Sequence, residues 1–354
     1  MSKISVLVTG VGGRSFGHQI LHALLQLGNK YKIVVTDADT FSFGLYQVEH
    51  SYIIPPATHS QYLPSILRLI KKEGVHVLLP GTEIELFTLV NYRQEIEAAG
   101  CVLLANPEPV VRICRNKWQL YQWLDDHSIG TPITVQVNDW EKLVSKKGFP
   151  IIAKPTENTG GSRHVAIIKD REELKNFLID TEGIEIILQE YVGDEEAEYT
   201  VGVMIAKDGE VIDSIVVQRK LVGLSLGSQR IINKKLYVLS TGYSQGFVIR
   251  HPQIQQQCEE LAVMIGAWGP LNIQCRLVDG KIKVFEVHPR FSGTTSIRAD
   301  VGFNEPDILI RNLLQNEQFG RLDYQADVAA IRAFQSIIVP FSKLNNVPVI
   351  AEDM

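Results

Sequence analysis

Hydrophobic positions in the first hundred residues alternate between two rhythms. Short apolar runs at 4–9, 32–37, 51–54, 75–79 and 101–105 read as strands. Between them apolar residues recur at helical spacing, as in Ile20, Leu21, Leu24 and Leu27, and predict helices over 19–27, 62–72 and 83–99. Strands alternating with helices imply parallel βαβ units. The rhythm changes around 106–109. Residues 110–127 read as paired helical segments, followed by a strand at 134–137, a helix over 139–147 and a strand at 151–154. A Gly/Thr/Ser loop, a strand at 164–168 and a helix over 171–180 come next. From 186 onward strands dominate, at 186–191, 199–206 and 211–218. Residues 253–266 form an amphipathic helix. Residues 269–278 and 281–288 form a strand pair around the turn Asp279-Gly280. A helix is expected over 304–314 and an apolar strand at 336–339. No internal repeat or heptad run is present.

Composition narrows the class. A chain of 354 residues fits two or three domains, and 45% hydrophobic with 21% charged residues is an ordinary globular balance. A net charge of -5 argues against a general nucleic-acid binder, whose affinity would come from lysine and arginine. No apolar run is long enough to cross a bilayer. The N-terminal MSKISVLVTGVGG breaks at its glycines, which suits a strand better than a signal peptide. Cys101, Cys114, Cys258 and Cys275 lie far apart without a CxxC pair. That is the pattern of reduced thiols in a cytoplasmic protein, not of a zinc site.

Four stretches carry candidate chemistry. Gly10-Val-Gly-Gly-Arg-Ser-Phe-Gly17 follows a strand and opens a helix, where backbone N–H groups can hold a phosphate. Its spacing misses GxGxxG, because Ser15 stands at the third glycine, and no lysine makes it a P-loop. Asp37 ends the next strand, where a dinucleotide site keeps its ribose acid. The loop reads first as a tight turn, and a dehydrogenase would leave the downstream stretches unexplained. In the second stretch Lys154 ends a strand and Asn158-Thr-Gly-Gly-Ser-Arg163 follows. A fixed cation beside a flap of N–H donors suits a polyphosphate. The third, Leu188-Gln-Glu-Tyr-Val192, runs through an acidic linker to Glu198. A strand entering a linker can show backbone edges to a purine, and Glu198 can accept from ribose hydroxyls. The fourth holds Gln274 and then Glu286, His288 and Arg290, three alternate residues that period two puts on one face. Oxygen ligands beside phosphate oxygens hold magnesium in nucleotide sites. Arg290 and Arg298 can neutralise a transferring phosphoryl group. Each stretch alone has a plain alternative: a surface lysine, a solvated acidic loop, an exposed strand face.

In the order lysine, glycine flap, hinge acid, metal acids, the chain resembles the ATP-grasp superfamily. More narrowly it is similar to stand-alone proteins of the carbamoyl-phosphate-synthase-like group. The resemblance runs from about Lys3 to Leu314. It is densest at Asn116-Lys117-Trp118, 149–155, Gln189-Glu190-Tyr191, Glu198-Tyr-Thr-Val201, 269–275, 286–292 and Asn304-Glu-Pro306. It implies a mixed α/β and α+β fold of ATP-grasp architecture, with a Rossmann-like doubly wound domain over 1–110. A small lobe with the flap would cover 111–185 and a large lobe with the metal and phosphate site 186–315, with 316–354 packing on the large lobe as a tail. The resemblance gives Lys117 and Lys154 the α- and β-phosphates of ATP. It assigns Gly160, Gly161 and Ser162 to the flap, Glu190, Tyr191 and Val192 to the adenine hinge, and Glu198 to the ribose. Gln274, Glu286 and His288 take the metal positions, Arg290 a phosphate, and Arg298 the substrate carboxylate or acyl phosphate.

Two departures stand out. His288 replaces the usual Asn, and Arg163-His164 stand where the family often has Gly or Lys followed by Gly. Imidazole is softer than an amide oxygen, so Mn2+ is expected to serve beside Mg2+. The implied reaction joins a small-molecule carboxylate to an amine through an acyl phosphate, releasing ADP and phosphate. A cytoplasmic enzyme is expected, a homodimer by default, with no nucleic-acid or membrane partner. Two other readings keep the same fold: an enzyme activating bicarbonate or carbamate, and a nucleotide-binding regulatory protein with a degenerate site.

Overall fold

The computed structural model describes residues 3–157, 164–193 and 197–350. Strands β1 (Ser5–Val8), β2 (Lys32–Asp37), β3 (His50–Ile53), β4 (Val77–Leu79) and β5 (Val102–Leu103) pair in parallel in the order β3-β2-β1-β4-β5. Every residue of β1 and β4 is buried, which is why both appear in the sequence as unbroken apolar runs. Helices α1 (Phe16–Leu25), α2 (Tyr62–Glu73), α3 (Glu83–Leu89) and α4 (Arg93–Ala98) complete this unit. The single helix expected over 83–99 is two helices, parted by a tighter turn at Val90–Tyr92. There the Asn91 amide donates to the Phe87 carbonyl at 2.8 Å and competes with the backbone ladder. The glycine-rich loop is a close crossing of two strand-to-helix turns. Gly17 N–H donates to the Gly81 carbonyl at 2.9 Å, and a Cβ on Gly81 would run into the Thr9 carbonyl.

Helices α5 (Glu108–Arg115) and α6 (Lys117–Asp126) are divided at Asn116, whose side chain accepts from the N–H groups of Trp118 and Gln119 at 3.0 Å. Then come β6 (Thr134–Gln136), α7 (Trp140–Lys147), β7 (Ile151–Pro155), β8 (Ala166–Ile168), α8 (Arg171–Asp180) and β9 (Ile186–Glu190). The strands form an antiparallel sheet in the order β6-β9-β7-β8. It has a small core of its own, built on Leu143, Ile151, Ala153, Ile168, Leu174, Ile186 and Leu188.

The third unit runs β10 (Glu198–Ile205), β11 (Val211–Arg219), β12 (Leu226–Ile232), β13 (Lys235–Ser240), β14 (Gly246–Ile249), α9 (Pro252–Met264), β15 (Gly269–Val278), β16 (Lys281–His288), α10 (Thr295–Asp300), α11 (Glu305–Gln315) and β17 (Val328–Ala330). Six of its strands make an antiparallel sheet in the order β16-β15-β10-β11-β14-β17, and β12 pairs with β13 as a separate hairpin. That hairpin turns at Asn233 and Lys234, both left-handed, the signature of a tight hairpin turn. The expected strand at 336–339 is absent. Ile338 is 93% exposed, whereas Val328–Ala330 pairs with β14. Farther on, Ile53 N–H donates to the Pro348 carbonyl at 2.8 Å, and Ile350 N–H to the Ile53 carbonyl at 2.9 Å. The tail thus meets the first sheet as well as the third. One apolar core also joins these units, packing Leu21 and Leu24 with Met204, Ile215, Phe303 and Ile308. All four cysteines are buried free thiols, and no helix among the described residues is long and apolar enough to cross a membrane.

Glu85 on α3 is 7% exposed, and burial raises its carboxyl to about 7. The folded value lies above the unfolded one, so folding favours the protonated form. Its contribution is full below about pH 4 and falls away as pH rises through about 7. Glu85→Gln is expected to flatten that fall, which amounts to at most ~3 kcal/mol, in urea unfolding repeated across pH.

Candidate active site

Strand alternation builds the site. On the large sheet, Glu198 and Thr200 of β10, Asn272, Gln274 and Arg276 of β15, and Glu286 and His288 of β16 line one cleft of about 940 Å³. Tyr199, Val201, Ile273 and Cys275 turn the other way and pack with Ile254, Cys258 and Leu261 of α9. Register sets Thr200, Gln274 and Glu286 side by side. From the smaller sheet, Ile152 and Lys154 of β7 and Gln189 of β9 line the same space, as does Lys117 at the start of α6.

Lys154 is 4% exposed and its Nζ donates to Gln189 Oε1 at 2.9 Å. Burial lowers its pKa to about 8, although the charge of Glu286 pulls it up. Burial pushes the Glu286 carboxyl up. The hydrogen bond with His288 and the charges of Lys117 and Lys154 outweigh that and hold it well below the usual carboxylate range. His288 Nε2 lies 3.0 Å from Glu286 Oε2, and Arg290 Nη2 lies 3.4 Å from His288 Nδ1. Arg290 binds Glu83 Oε1 through Nε at 3.1 Å and Nη2 at 2.6 Å. That guanidinium drives the Glu83 carboxyl down to about 2. Sequence reasoning missed Glu83. The available signal was its place at the first helical turn beyond the carboxyl end of a parallel strand, where doubly wound sheets hold ligands.

The hinge is braced from both sides. Glu190 directs its carboxylate toward the small lobe, accepting from Ile133 N–H at 2.9 Å and pairing with Lys147 at 2.8 Å. Only its backbone and those of Tyr191 and Val192 suit a purine edge, and the Val192 carbonyl already accepts from Arg276 at 2.9 Å. Glu198 lines the cleft, and its Oε1 accepts from Arg219 at 2.9 Å and its Oε2 from Arg276 Nη2 at 3.0 Å, so a ribose hydroxyl would share oxygens already paired with guanidinium groups. Arg298 does not line the cleft. It is 1% exposed, with Nη1 on Glu305 at 2.8 Å and Nη2 on Asn272 at 2.6 Å, a buried structural pair. Gly160, Gly161, Ser162 and Arg163 lie outside the described residues.

Gln274, Glu286 and His288 do come together, with Gln274 Nε2 3.5 Å from His288 Nε2. An amide oxygen, an ionised carboxylate and an imidazole fit a divalent cation that also takes phosphate oxygens. Among the described residues no group of three or more His, Cys, Asp and Glu can hold a metal.

The ATP-grasp domain family matches residues 114–294, and a PylC-like N-terminal domain matches residues 6–104. The chain belongs to the ATP-grasp family. The carbamoyl phosphate synthase large chain of Archaeoglobus fulgidus is 22% identical over 367 residues, covering 99% of this chain and 32% of that protein. The chain thus spans about a third of the length of the curated relatives it matches. In fold it resembles N5-carboxyaminoimidazole synthetase from Staphylococcus aureus complexed with ADP, with a TM-score of 0.68 at 14% identity over 91% of this chain and 81% of the other. It also resembles the biotin carboxylase domain of 2-oxoglutarate carboxylase from Hydrogenobacter thermophilus, complexed with MgADP and bicarbonate, with a TM-score of 0.62 at 15% identity over 92% and 72%.

Removing one partner of a buried pair leaves an uncompensated charge. Arg298→Met is expected to lower unfolding free energy by about 3–5 kcal/mol while the folded protein keeps its nucleotide affinity. Loss of carboxylate-dependent ADP release at unchanged stability would return Arg298 to the site.

Proposed function

We propose that the chain is an ATP-dependent carboxylate–amine ligase. Adenine lies against the backbone of Glu190–Val192, and Lys154 and Lys117 meet the phosphates. Glu286, Gln274 and His288 would hold Mg2+, which when bound offsets charge on the transferring phosphoryl group. A carboxylate oxygen attacks the γ-phosphorus while its bond to the ADP oxygen breaks, giving an acyl phosphate. The amine lone pair then attacks the acyl carbon, its proton passes to solvent, and orthophosphate leaves with the C–O bonding pair. No covalent protein nucleophile is needed, because positioning and fixed charge supply the rate. The observation supporting this reading is the charge pattern of the cleft: lysines and Arg290 grouped around the ionised Glu286.

A second reading, bicarbonate activation, is favoured by the near full-length match to carbamoyl phosphate synthase large chains. One assay separates them. ADP release from Mg2+-ATP is screened over bicarbonate, amino acids and sugar acids, each with and without an amine pool, beside Glu286→Gln. Substrate-dependent ADP that falls by about 10²-fold or more in the variant is expected. ADP driven by bicarbonate alone selects the second reading, and none across the panel despite intact ATP binding sinks both.

Lys154 adds a pH signature. A triphosphate beside the amine favours its charged form, so ATP binding takes up a proton above about pH 8 and affinity weakens as pH rises through that value. Calorimetry in buffers of different ionisation enthalpy reads the uptake, and Lys154→Arg, charged throughout, abolishes it.

A further inference from the structure

The cleft has a second end that the phosphate chemistry leaves unassigned. There the Arg290 guanidinium lies 4.4 Å from the ring centroid of Phe16, and its bonds to Glu83 both fall on Oε1. No described residue donates to Glu83 Oε2. Tyr243 and Phe334 line the same space, their ring centroids 6.3 Å apart. Phe334 comes from the tail and is 70% exposed. Its neighbour Arg332 fixes the tail. That guanidinium lies 5.0 Å over the Tyr243 ring and donates to Gln19 Oε1 at 3.0 Å, to Ser296 Oγ at 3.1 Å and to the Gly293 carbonyl. The tail therefore forms a wall of the cleft as well as a strand of the sheet.

The surfaces here are a cation seated on the buried Phe16 ring, a carboxylate with one open oxygen, and the rings of Tyr243 and Phe334. Bicarbonate would leave the rings uncovered, and a sugar acid would press hydroxyls against them without partners. A zwitterion with an apolar side chain complements all of them. We infer that this end binds an α-amino acid with an apolar or aromatic side chain. Its carboxylate lies on Arg290 and its ammonium on Glu83 Oε2, with the side chain against Tyr243 and Phe334. The inference rests on the ligase reading for the fate of that carboxylate.

Binding tests it without turnover. Calorimetric titration of the protein loaded with MgADP uses L-phenylalanine, glycine, L-glutamate and 3-phenylpropanoate, on the parent, Phe334→Ala, Glu83→Gln and Phe341→Ala. L-phenylalanine is expected to bind about tenfold or more tighter than glycine or L-glutamate. Phe334→Ala erases that margin. Phe341→Ala, altering a residue 83% exposed on the same tail and outside the cleft lining, keeps it. Glu83→Gln weakens L-phenylalanine but not 3-phenylpropanoate, which has no ammonium. Glycine or L-glutamate binding as well as L-phenylalanine, no L-phenylalanine binding, or a margin that survives Phe334→Ala overturns the inference. L-phenylalanine binding with no ADP release from any carboxylate would sink the ligase reading and uphold this one. ADP release driven by a sugar acid with an amine, without L-phenylalanine binding, would do the reverse.

Discussion

A carboxylate clamped between two guanidiniums underlies the cleft face of the large sheet. Glu198 opens β10, 2% exposed, with Arg219 from β11 on one oxygen and Arg276 from β15 on the other. Burying such charges costs several kcal/mol per ion unless the geometry answers it. Here further bonds do. Arg276 also holds the Val192 carbonyl and lies 4.7 Å from the Tyr191 ring, and Arg219 reaches the Thr241 carbonyl. One cluster therefore fixes the hinge, the register of three strands and the loop that carries Tyr243. Register matters because side chains alternate. A slip of one residue would send Gln274, Glu286 and His288 into the core and bring Ile273 and Val287 into the cleft.

On the ligase reading, the charges in that cleft stand ready before a polyanion arrives. Burial lowers the hold of Lys154 on its proton, and its Nζ donates to the uncharged Gln189. Glu286 stays ionised because His288, Lys117 and Lys154 surround it. Phosphate oxygens entering between them meet donors already in place, so little reorganisation remains for the reaction step.

Much of this was legible because it is local. The Asp279-Gly280 turn, both residues left-handed, announces the β15–β16 hairpin, and alternation along β16 then sets Glu286, His288 and Arg290 in sequence. Lys154 was legible as a lone cation closing an apolar strand. What sequence could not supply are the long-range pairs. Arg298 reads as a free cation until Asn272 and Glu305 are seen to enclose it. Glu198 reads as a lone acid until Arg276, 78 residues away, is found on it. Glu83 gains its meaning only from Arg290, 207 residues on. The tail misled for the opposite reason. Residues 336–339 have strand-like apolar character but no sheet edge to join, and the less apolar Val328–Ala330 takes that place.

The way residues 316–350 are tied down has a mechanical result. They add a strand to the third sheet and then bond to β3 of the first, over a core those two units already share. The sheet β6-β9-β7-β8 with α7 and α8 has a core of its own and polar links such as Arg230 to Glu173 at 2.6 and 2.7 Å, whereas α5 and α6 pack into the core of the large sheet through Cys114, Leu120 and Leu124. The first and third units thus share packing and a tail that spans both, and the sheet β6-β9-β7-β8 is the part least tied to the rest and the one expected to move. Lys154 and Gln189 lie on that sheet, whereas Glu286, Arg290 and the aromatic wall belong to the other units and Arg276 of β15 holds the hinge. Opening would then carry Lys154 away from Glu286 while leaving the rest of the cleft assembled.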